Sequence, residues 1–376
     1  MRGRTSKQHT LGPRDVLGVP LLPPGAITVA TNRVRAAVGR GHRAMAPPPL
    51  QILESMFGLL DHRVLTMLCA AGVPDALQRS MSVDELATTL GLDGPTLRRV
   101  CRFAHLKGWL RIDRKGRVRP TRVTAFLRTD HPGGWAAWVE FAGAPEVVAA
   151  LQAFTADASV VDAFAEANGA PFFEWMREHP TRWAAFDAAM AAGARMHALA
   201  LAAAVDWKSA ASVCDVGGGT GALLRTLLDI TPHLRGELLD LPDVVARAAQ
   251  HERLTITAGD AFREVPTGHD TYLLVNVLHD WGDDEAVRIL TTVARAMPPT
   301  GRVIVVDNDP SPTAGSQIAT ATDVLMAALT PGGRERTTAE FSQLAARAGL
   351  RHERTLRLAS ADLAHTLRRR SGTTPS

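Results

Sequence analysis

The feature that most constrains the fold is a cluster of four glycines within residues 217–221. An apolar run ending in Asp215 precedes the cluster, and leucines at helical spacing follow it over residues 223–228. This order predicts a strand, a tight turn and a helix. Glycine has no Cβ, so the turn can adopt positive φ and let a ligand lie against the main chain. The turn is therefore predicted to cradle a nucleotide.

The glycine cluster alone leaves the identity of that nucleotide open. Gly217, Gly219 and Ala222 also satisfy the spacing of a dinucleotide fingerprint, and Asp240 lies about 20 residues downstream, where an acid can bind ribose hydroxyls. Nicotinamide dinucleotides and S-adenosylmethionine both fit at this point. Residues further along the chain have to decide between them.

Length and composition predict an ordinary globular protein of two domains. The chain has 376 residues, of which 46% are hydrophobic and 21% charged, and no segment is long and apolar enough to span a membrane. Cys69, Cys101 and Cys214 are scattered without metal-ligand or disulfide spacing. These observations favour a protein of the reducing cytoplasm.

Residues 1–44 contain eight basic residues against Asp15 alone, together with a Pro-Pro-Gly segment. We expect this region to be a disordered basic tail, and the change of composition at Met45 suggests that translation starts there. The remainder of the chain is slightly acidic, which argues against nucleic acid as a partner.

Residues 45–130 are predicted to form a winged-helix domain. An apolar stripe runs over residues 50–70, Ser82 and Glu85 form a capping box, and two short strands flank a turn at Gly116. The helix that carries Arg98 resembles a DNA-recognition helix. The apolar stripe nevertheless favours packing against a second copy, so we expect a homodimer.

Residues 131–207 are predicted to form a helical linker, and they contain five of the seven tryptophans. Large rings of this kind suit a pocket for a flat aromatic ligand. Beyond the glycine cluster, short apolar runs alternate with helical segments over residues 208–360, which predicts a doubly wound α/β domain. Its ligand is expected at the carboxyl ends of the strands. Residues 361–376 are predicted to be a frayed C-terminal tail.

Five motifs carry a family resemblance, in order and spacing. They are Asp-Val-Gly-Gly-Gly-Thr-Gly at 215–221, Asp-Leu-Pro-Asp at 240–243, Gly-Asp-Ala-Phe at 259–262, Leu-His-Asp-Trp at 278–281 and Gly-Gly-Arg-Glu-Arg-Thr at 332–337. Together they resemble the S-adenosylmethionine-dependent O-methyltransferases of the caffeate and isoflavone type, which include bacterial enzymes of secondary metabolism. The resemblance covers about residues 50–360. It implies a Rossmann-like methyltransferase domain and S-adenosylmethionine as the cofactor.

The resemblance also implies roles for individual residues. His279 would be the general base, with Asp307 and Glu335 as its acids, although Asp307 is one methylene shorter than the glutamate often found there. Met190 and Met326 match positions that sandwich an aromatic acceptor, and no metal is expected. The implied cofactor-binding residues are Asp215, Gly217, Gly219, Asp240, Asp260 and Phe262.

The sequence thus predicts a homodimeric, metal-independent enzyme that methylates a hydroxyl group of a small aromatic metabolite. Two alternatives remain. One is a nicotinamide-dependent oxidoreductase. The other is a winged-helix regulator whose methyltransferase domain senses a ligand or has lost catalysis.

Overall fold

A computed structural model describes residues 25–157, 159–311 and 317–370. The described chain divides into two units, one formed by Arg35–Gly193 and the other by residues 194–370 together with 25–34. The division falls before the predicted start of the catalytic domain at residue 208. None of the described helices combines the length and the hydropathy needed to cross a bilayer.

The first described element is a helix, α1 (Gly25–Met45), in the segment predicted to be disordered. Residues 25–46 contain no proline and are rich in alanine, valine and arginine, which allows a continuous helix. The structure therefore differs from the predicted tail over residues 25–44. Residues 1–24 lie outside the described part of the chain.

The first half of the unit Arg35–Gly193 consists of four helices, a β-hairpin and a short fifth helix. They are α2 (Pro48–Ala70), α3 (Val73–Ala76), α4 (Val83–Leu90), α5 (Gly94–Leu106), β1 (Leu110–Ile112), β2 (Val118–Pro120) and α6 (Arg122–Phe126). Helix α4 begins at the predicted capping box, in which Glu85 N donates to Ser82 Oγ at 3.1 Å. Helix α5 begins at Asp93, which accepts from Thr96 N. Leu86, Cys101 and Val118 are buried in the core that these elements share.

The second half of this unit is helical, as the sequence predicts. Its helices are α7 (Ala136–Ala142), α8 (Pro145–Ala156), α9 (Ala163–Asn168), α10 (Phe172–Glu178) and α11 (Pro180–Ala204), the last of which continues past Gly193 into the other unit. Phe141, Phe164, Phe172 and Phe186 contact one another edge-on or tilted, with ring centroids 5.1–6.4 Å apart. Many of the aromatic residues that suggested a ligand pocket thus form the core of this unit.

The other unit is an α/β structure around a seven-stranded sheet, with the strand order β5-β4-β3-β6-β7-β9-β8. Strands β3 to β7 are parallel to one another, and β9 is antiparallel to both of its neighbours. The strands are β3 (Ser212–Val216), β4 (Arg235–Asp240), β5 (Leu254–Ala258), β6 (Thr271–Val275), β7 (Arg302–Asp307), β8 (Leu350–Arg357) and β9 (Leu363–Arg369). The helices are α12 (Ala222–Ile230), α13 (Pro242–Val245), α14 (Asp283–Ala296), α15 (Gln317–Leu329) and α16 (Thr338–Arg347).

Alternate residues of the central strands enter two separate cores, one on each face of the sheet. Val213 and Ile304 pack in the core that contains α12, whereas Cys214 and Val303 pack in the core that contains α14 and α16. Burial on both faces explains why these strands are continuously apolar. The predicted doubly wound domain is confirmed.

The C-terminal segment corrects a prediction. Residues 361–376 were expected to fray, but β9 lies inside the sheet between β7 and β8, with His365 and Leu367 fully buried. Val305 pairs with His365 across the β7–β9 ladder. The basic cluster at residues 368–370 masked the apolar character of the strand before it. Residues 371–376 lie outside the described part of the chain.

Candidate active site

The glycine turn has the conformation that its sequence predicts. Gly217, Gly219 and Gly221 have φ values of 70°, 62° and 75°, which favour residues without a Cβ. Gly217 N donates to Leu239 O at 2.8 Å and ties the turn to β4. A Cβ at Gly218 would lie 2.5 Å from Asp215 Oδ2, so only main chain fits there. The turn connects β3 to α12, and its glycines present no side chains to a ligand that approaches the main chain.

Asp215 is buried at the end of β3 with an unsatisfied oxygen. Its Oδ2 has no hydrogen-bond partner among the described residues, and the residue is 1% exposed. Burial, and then the nearby Asp240, raise the pKa of Asp215 to about 7. A buried carboxylate oxygen without a donor is costly, so a cationic or hydrogen-bond-donating ligand would stabilise it.

Asp240 closes the other side of the turn. Its Oδ2 accepts from Gly219 N and its Oδ1 accepts from Leu241 N, each at 2.7 Å. A carboxylate is an acceptor with about four lone-pair sites, which is the chemistry that a ribose diol requires. The structure therefore brings Asp215, Gly217, Gly219 and Asp240 together, as predicted.

Asp260 and Phe262 follow the end of β5. Asp260 Oδ1 accepts from Phe262 N at 2.9 Å, which fixes the local turn. The ring of Phe262 meets Trp281 edge-on, with centroids 4.8 Å apart, and the Arg288 guanidinium lies 4.9 Å from the ring centroid. Through Trp281, this predicted cofactor-binding segment adjoins the segment that carries His279.

His279 lies in a short 3₁₀ turn, Leu278–Asp280, that follows β6. The turn is close to the glycine turn, because a Cβ at Gly217 would lie 3.0 Å from Val277 Cγ2. His279 is 8% exposed, and its Nδ1 lies 3.0 Å from Glu335 Oε1. Because a carboxylate only accepts, Nδ1 carries the proton in this pair and Nε2 faces away from Glu335.

The two predicted acids are not equivalent. Glu335 hydrogen-bonds to His279, whereas Asp307 Oδ1 is 4.0 Å from Nδ1 and makes no hydrogen bond to it. Asp307 is fully buried, and neither of its carboxyl oxygens has a partner in the described ranges. The side chain of Asp307, one methylene shorter than a glutamate, thus does not reach hydrogen-bonding distance of the histidine. A third acid, Asp280, lies on the other side of the ring, 3.7 Å from Nε2.

These charges determine the protonation of the site. Burial alone would lower the pKa of His279, but chiefly Asp280 and Glu335 raise it to about 10. Burial raises the pKa of Asp307 well above its usual range and that of Asp280 to about 6. The imidazolium form of His279 is therefore favoured at neutral pH, and Asp307 is favoured in its neutral form.

Arg336 is a structural element of the site that sequence reasoning missed. It is fully buried, and it donates to Leu278 O at 2.8 Å, to Trp281 O at 2.6 Å and to Asp283 Oδ1 at 2.9 Å. Arg334 N adds a bond to His279 O at 2.8 Å. The motif at residues 332–337 therefore holds the backbone on both sides of His279. The only sequence signal was that Arg336 belongs to the same motif as Glu335.

His279, Asp307 and Glu335 each offer one atom within 4.8 Å of the others, a spacing that a metal ion could also bridge. The hydrogen bonds indicate another arrangement. Nδ1 already donates to Glu335, and both oxygens of Glu335 accept from Asn308. The group resembles a histidine oriented by a carboxylate.

The two methionines predicted to contact the acceptor lie in different units. Met326 is a buried residue of α15, and its carbonyl accepts from Thr330 Oγ1. On the same helix, Asp323 accepts from Glu335 N at 2.8 Å, so α15 also positions the motif that holds His279. Met190 is a half-buried residue of α11. Their pairing across an acceptor stays a prediction.

Comparison with known proteins identifies the family. Residues 149–351 match the family model described as an O-methyltransferase domain. The mitomycin biosynthesis 6-O-methyltransferase of Streptomyces lavendulae is 34% identical over 328 residues, which cover 84% of this chain and 93% of that protein. The solved structure of CalO1, a methyltransferase of calicheamicin biosynthesis in its SAH-bound form, matches with a TM-score of 0.78 at 31% identity, covering 86% of this chain and 98% of that one.

A further relative is named for a different reaction. The aclacinomycin 10-hydroxylase RdmB of Streptomyces purpurascens is 36% identical over 252 residues, covering 63% of this chain and 67% of that protein. This chain is therefore similar in sequence both to proteins named as methyltransferases and to one named as a hydroxylase.

The site fits the methyltransferase cofactor. The unsatisfied Asp215 oxygen suits the ammonium group of S-adenosylmethionine, and Asp240 can accept from its ribose hydroxyls. The family match also resolves the choice of cofactor that the glycine turn left open. The chain therefore belongs to the O-methyltransferase family and is an S-adenosylmethionine-dependent O-methyltransferase.

Proposed function

We propose that the enzyme methylates a hydroxyl group of a small aromatic metabolite and that His279 acts as the general base. The observation that carries the proposal is the buried His279–Glu335 pair, at 3.0 Å, in the segment that packs against the glycine turn. Relatives named for mitomycin and for phenazine O-methylation support an aromatic acceptor.

The chain supplies alignment and proton chemistry. S-adenosylmethionine, when bound, supplies a methyl group on a sulfonium centre. Alignment of the acceptor oxygen with that group can contribute up to about 7–11 kcal/mol. A phenol has a pKa of about 10 and is a poor nucleophile while protonated. His279 Nε2 would take the hydroxyl proton, while Glu335 holds the proton on Nδ1 and stabilises the imidazolium.

The raised pKa of His279 suits this step. A base whose pKa of about 10 matches that of a phenol exchanges its proton with the acceptor at little cost in free energy. At neutral pH His279 is mostly imidazolium, so only its neutral fraction can take the hydroxyl proton, and turnover should rise with pH toward that pKa. Asp307, favoured in its neutral form, would contribute polarity to this site rather than a second negative charge. Met326, a buried residue of α15, would contact the acceptor ring.

The full-length protein tests this proposal directly. Incubation with S-adenosylmethionine and a panel of phenols, catechols and hydroxynaphthoates should release S-adenosylhomocysteine and a product heavier by one methylene unit. His279→Ala should lower turnover roughly 10²–10⁴-fold with little change in S-adenosylhomocysteine affinity. His251→Ala is the matched control, because His251 also pairs with a carboxylate, Asp229 at 3.3 Å, outside the site. Unchanged turnover of His279→Ala, or cofactor binding without transfer to any acceptor, would contradict the proposed reaction.

We also propose that the chain forms a homodimer through a winged-helix domain. The succession of α4, α5 and the β1–β2 hairpin supports that domain type. Helix α2 presents large apolar side chains to solvent, which a second copy would bury. They are Leu50, Ile52, Leu53, Met56, Phe57, Leu59 and Leu60, with exposures between 43% and 68%.

Light scattering tests the dimer. The double substitution Met56→Glu and Leu59→Glu should yield a monomer, because it places two charges in the apolar surface of α2. Gln152→Glu adds a charge to an exposed position of α8 and should leave the dimer intact. A monomeric wild-type protein, or a dimer that survives the double substitution, would refute this interface.

A further inference from the structure

Two carboxyl groups could orient His279, and the structure distinguishes them by their hydrogen-bond donors. Glu335 Oε1 accepts from His279 Nδ1 at 3.0 Å and from Asn308 Nδ2 at 2.8 Å, while Glu335 Oε2 accepts from Asn308 N at 3.2 Å. Asp307 has no such donor among the residues that the structure describes. The neighbouring residue Asn308 thus donates to Glu335 from its backbone nitrogen and from its side-chain nitrogen.

We infer that Asn308 is a positioning residue of the methyl-transfer site, which clamps the Glu335 carboxylate so that Glu335, and not Asp307, orients His279. The inference rests on the proposed role of His279 as the base. It adds a residue that belongs to none of the five motifs.

The clamp is specific because it uses both oxygens of the carboxylate. The backbone N–H of Asn308 holds Oε2, which leaves Oε1 to face the imidazole, and the side-chain amide shares Oε1 with the histidine. Hydrogen bonds of this kind favour the ionised carboxylate, which can only accept. Asp323 holds the backbone of Glu335 from the other side through Glu335 N at 2.8 Å.

Asp307 has the opposite environment. Its carboxyl group is fully buried, receives no hydrogen bond from the described residues and lies 4.0 Å from Nδ1. Burial without donors favours the neutral form of a carboxylic acid. A single negative charge therefore lies on the Nδ1 side of the ring, and Asn308 determines that Glu335 carries it.

Asn308→Leu tests the inference, since leucine is similar in volume and removes the side-chain donor. The charged and titratable groups around His279 and Glu335 are Asp280, Asp307, Asp323 and Arg336. All of them remain in the variant. With Glu335 held less firmly, the turnover number should fall roughly tenfold to a hundredfold, as expected for one hydrogen bond to a charged group. The inflection of the pH–rate profile should also move to lower pH by about one unit, because the imidazolium loses part of its partner.

Asn168→Leu is the matched control. Asn168 is a half-buried asparagine of α9 whose Nδ2 donates to Glu146 O and Phe164 O, each at 3.1 Å, so its loss reports only on structure. Turnover is expressed per site that binds S-adenosylhomocysteine, which corrects for any misfolded fraction. The affinity for S-adenosylhomocysteine should stay within twofold of the wild type in both variants.

The outcomes distinguish failure of the role inferred for Asn308 from failure of the role proposed for His279. Suppose that His279→Ala is strongly impaired. Normal turnover of Asn308→Leu then overturns the role of Asn308, and so does reduced turnover with an unchanged inflection of the pH–rate profile. If His279→Ala turns over normally, the proposed base itself fails. Reduced turnover with a shifted inflection and intact cofactor binding supports the clamp.

Discussion

Replacing Glu335 by glutamine should lower the pKa of His279 and change the pH dependence of methyl transfer. The two groups are 3.0 Å apart and both are buried. At an effective dielectric constant of about 20, unit charges at that distance attract by about 5 kcal/mol, which would correspond to about four pKa units. The glutamine oxygen can still accept from Nδ1, and Asp280 remains near Nε2 at 3.7 Å. We therefore expect a smaller decrease, of about one to two units.

The lower pKa of His279 in the variant should move the pH–rate profile to lower pH. In the wild type, log kcat should rise with pH toward an inflection near the His279 pKa of about 10. In Glu335→Gln the rise should end at a lower pH, and the plateau should be lower because the imidazolium formed in the reaction is less stable. Measuring both enzymes with one acceptor removes the ionisation of the acceptor as a cause of any difference.

Two measurements decide this prediction. Initial rates between pH 6 and about 10.5 give the inflection of each profile, and NMR of histidine labelled with ¹³C gives the pKa directly, with the His279 resonance assigned from its loss in His279→Ala. Identical inflections, within about 0.3 unit, would refute the coupling between Glu335 and His279. An upward shift would refute the sign.

Three further predictions concern the same unit. Gly218→Ala should weaken S-adenosylhomocysteine binding at least tenfold by calorimetry, because its Cβ would lie 2.5 Å from Asp215 Oδ2; unchanged affinity would contradict this. Arg336→Met should lower the free energy of unfolding by at least about 2 kcal/mol, because two buried carbonyls lose their donor. The control is Arg347→Met, which removes an exposed ion pair and should lower that free energy by less than about 1 kcal/mol. The raised pKa of His279 stabilises the fold fully below about pH 6.5 and less as pH rises toward about 10, so urea unfolding should show a loss over this range that is smaller in Glu335→Gln.

The sequence predicted best what depends on local chemistry. The glycine turn, the strand before it and the helix after it are encoded within 19 residues, and the structure has all three. The capping box at Ser82 and Glu85 is equally local. His279 and Glu335 are far apart in the chain, and only the family resemblance suggested their contact.

The differences arise where a contact depends on distant parts of the chain. Nothing near Asn308 indicates that its backbone and side-chain nitrogens both donate to a residue 27 positions later. The strand β9 was missed because its apolar residues meet β7, whose Asp307 pairs with Leu363. Burial of Arg336 could not be expected from its charge, since an arginine is normally exposed unless its donors are satisfied, as they are here.

The position of β9 has a consequence for how the protein is made. Because β9 follows all the other described strands in the chain and yet separates β7 from β8, a ribosome has synthesised residues 302–362 before the edge of β7 can be covered. Until then the strand that ends at Asp307 exposes unpaired backbone groups, which favour association with other chains. A chain that stops before Leu363 would carry every residue assigned to the cofactor and to the proton, but it would lack the neighbour that holds β7 in the sheet.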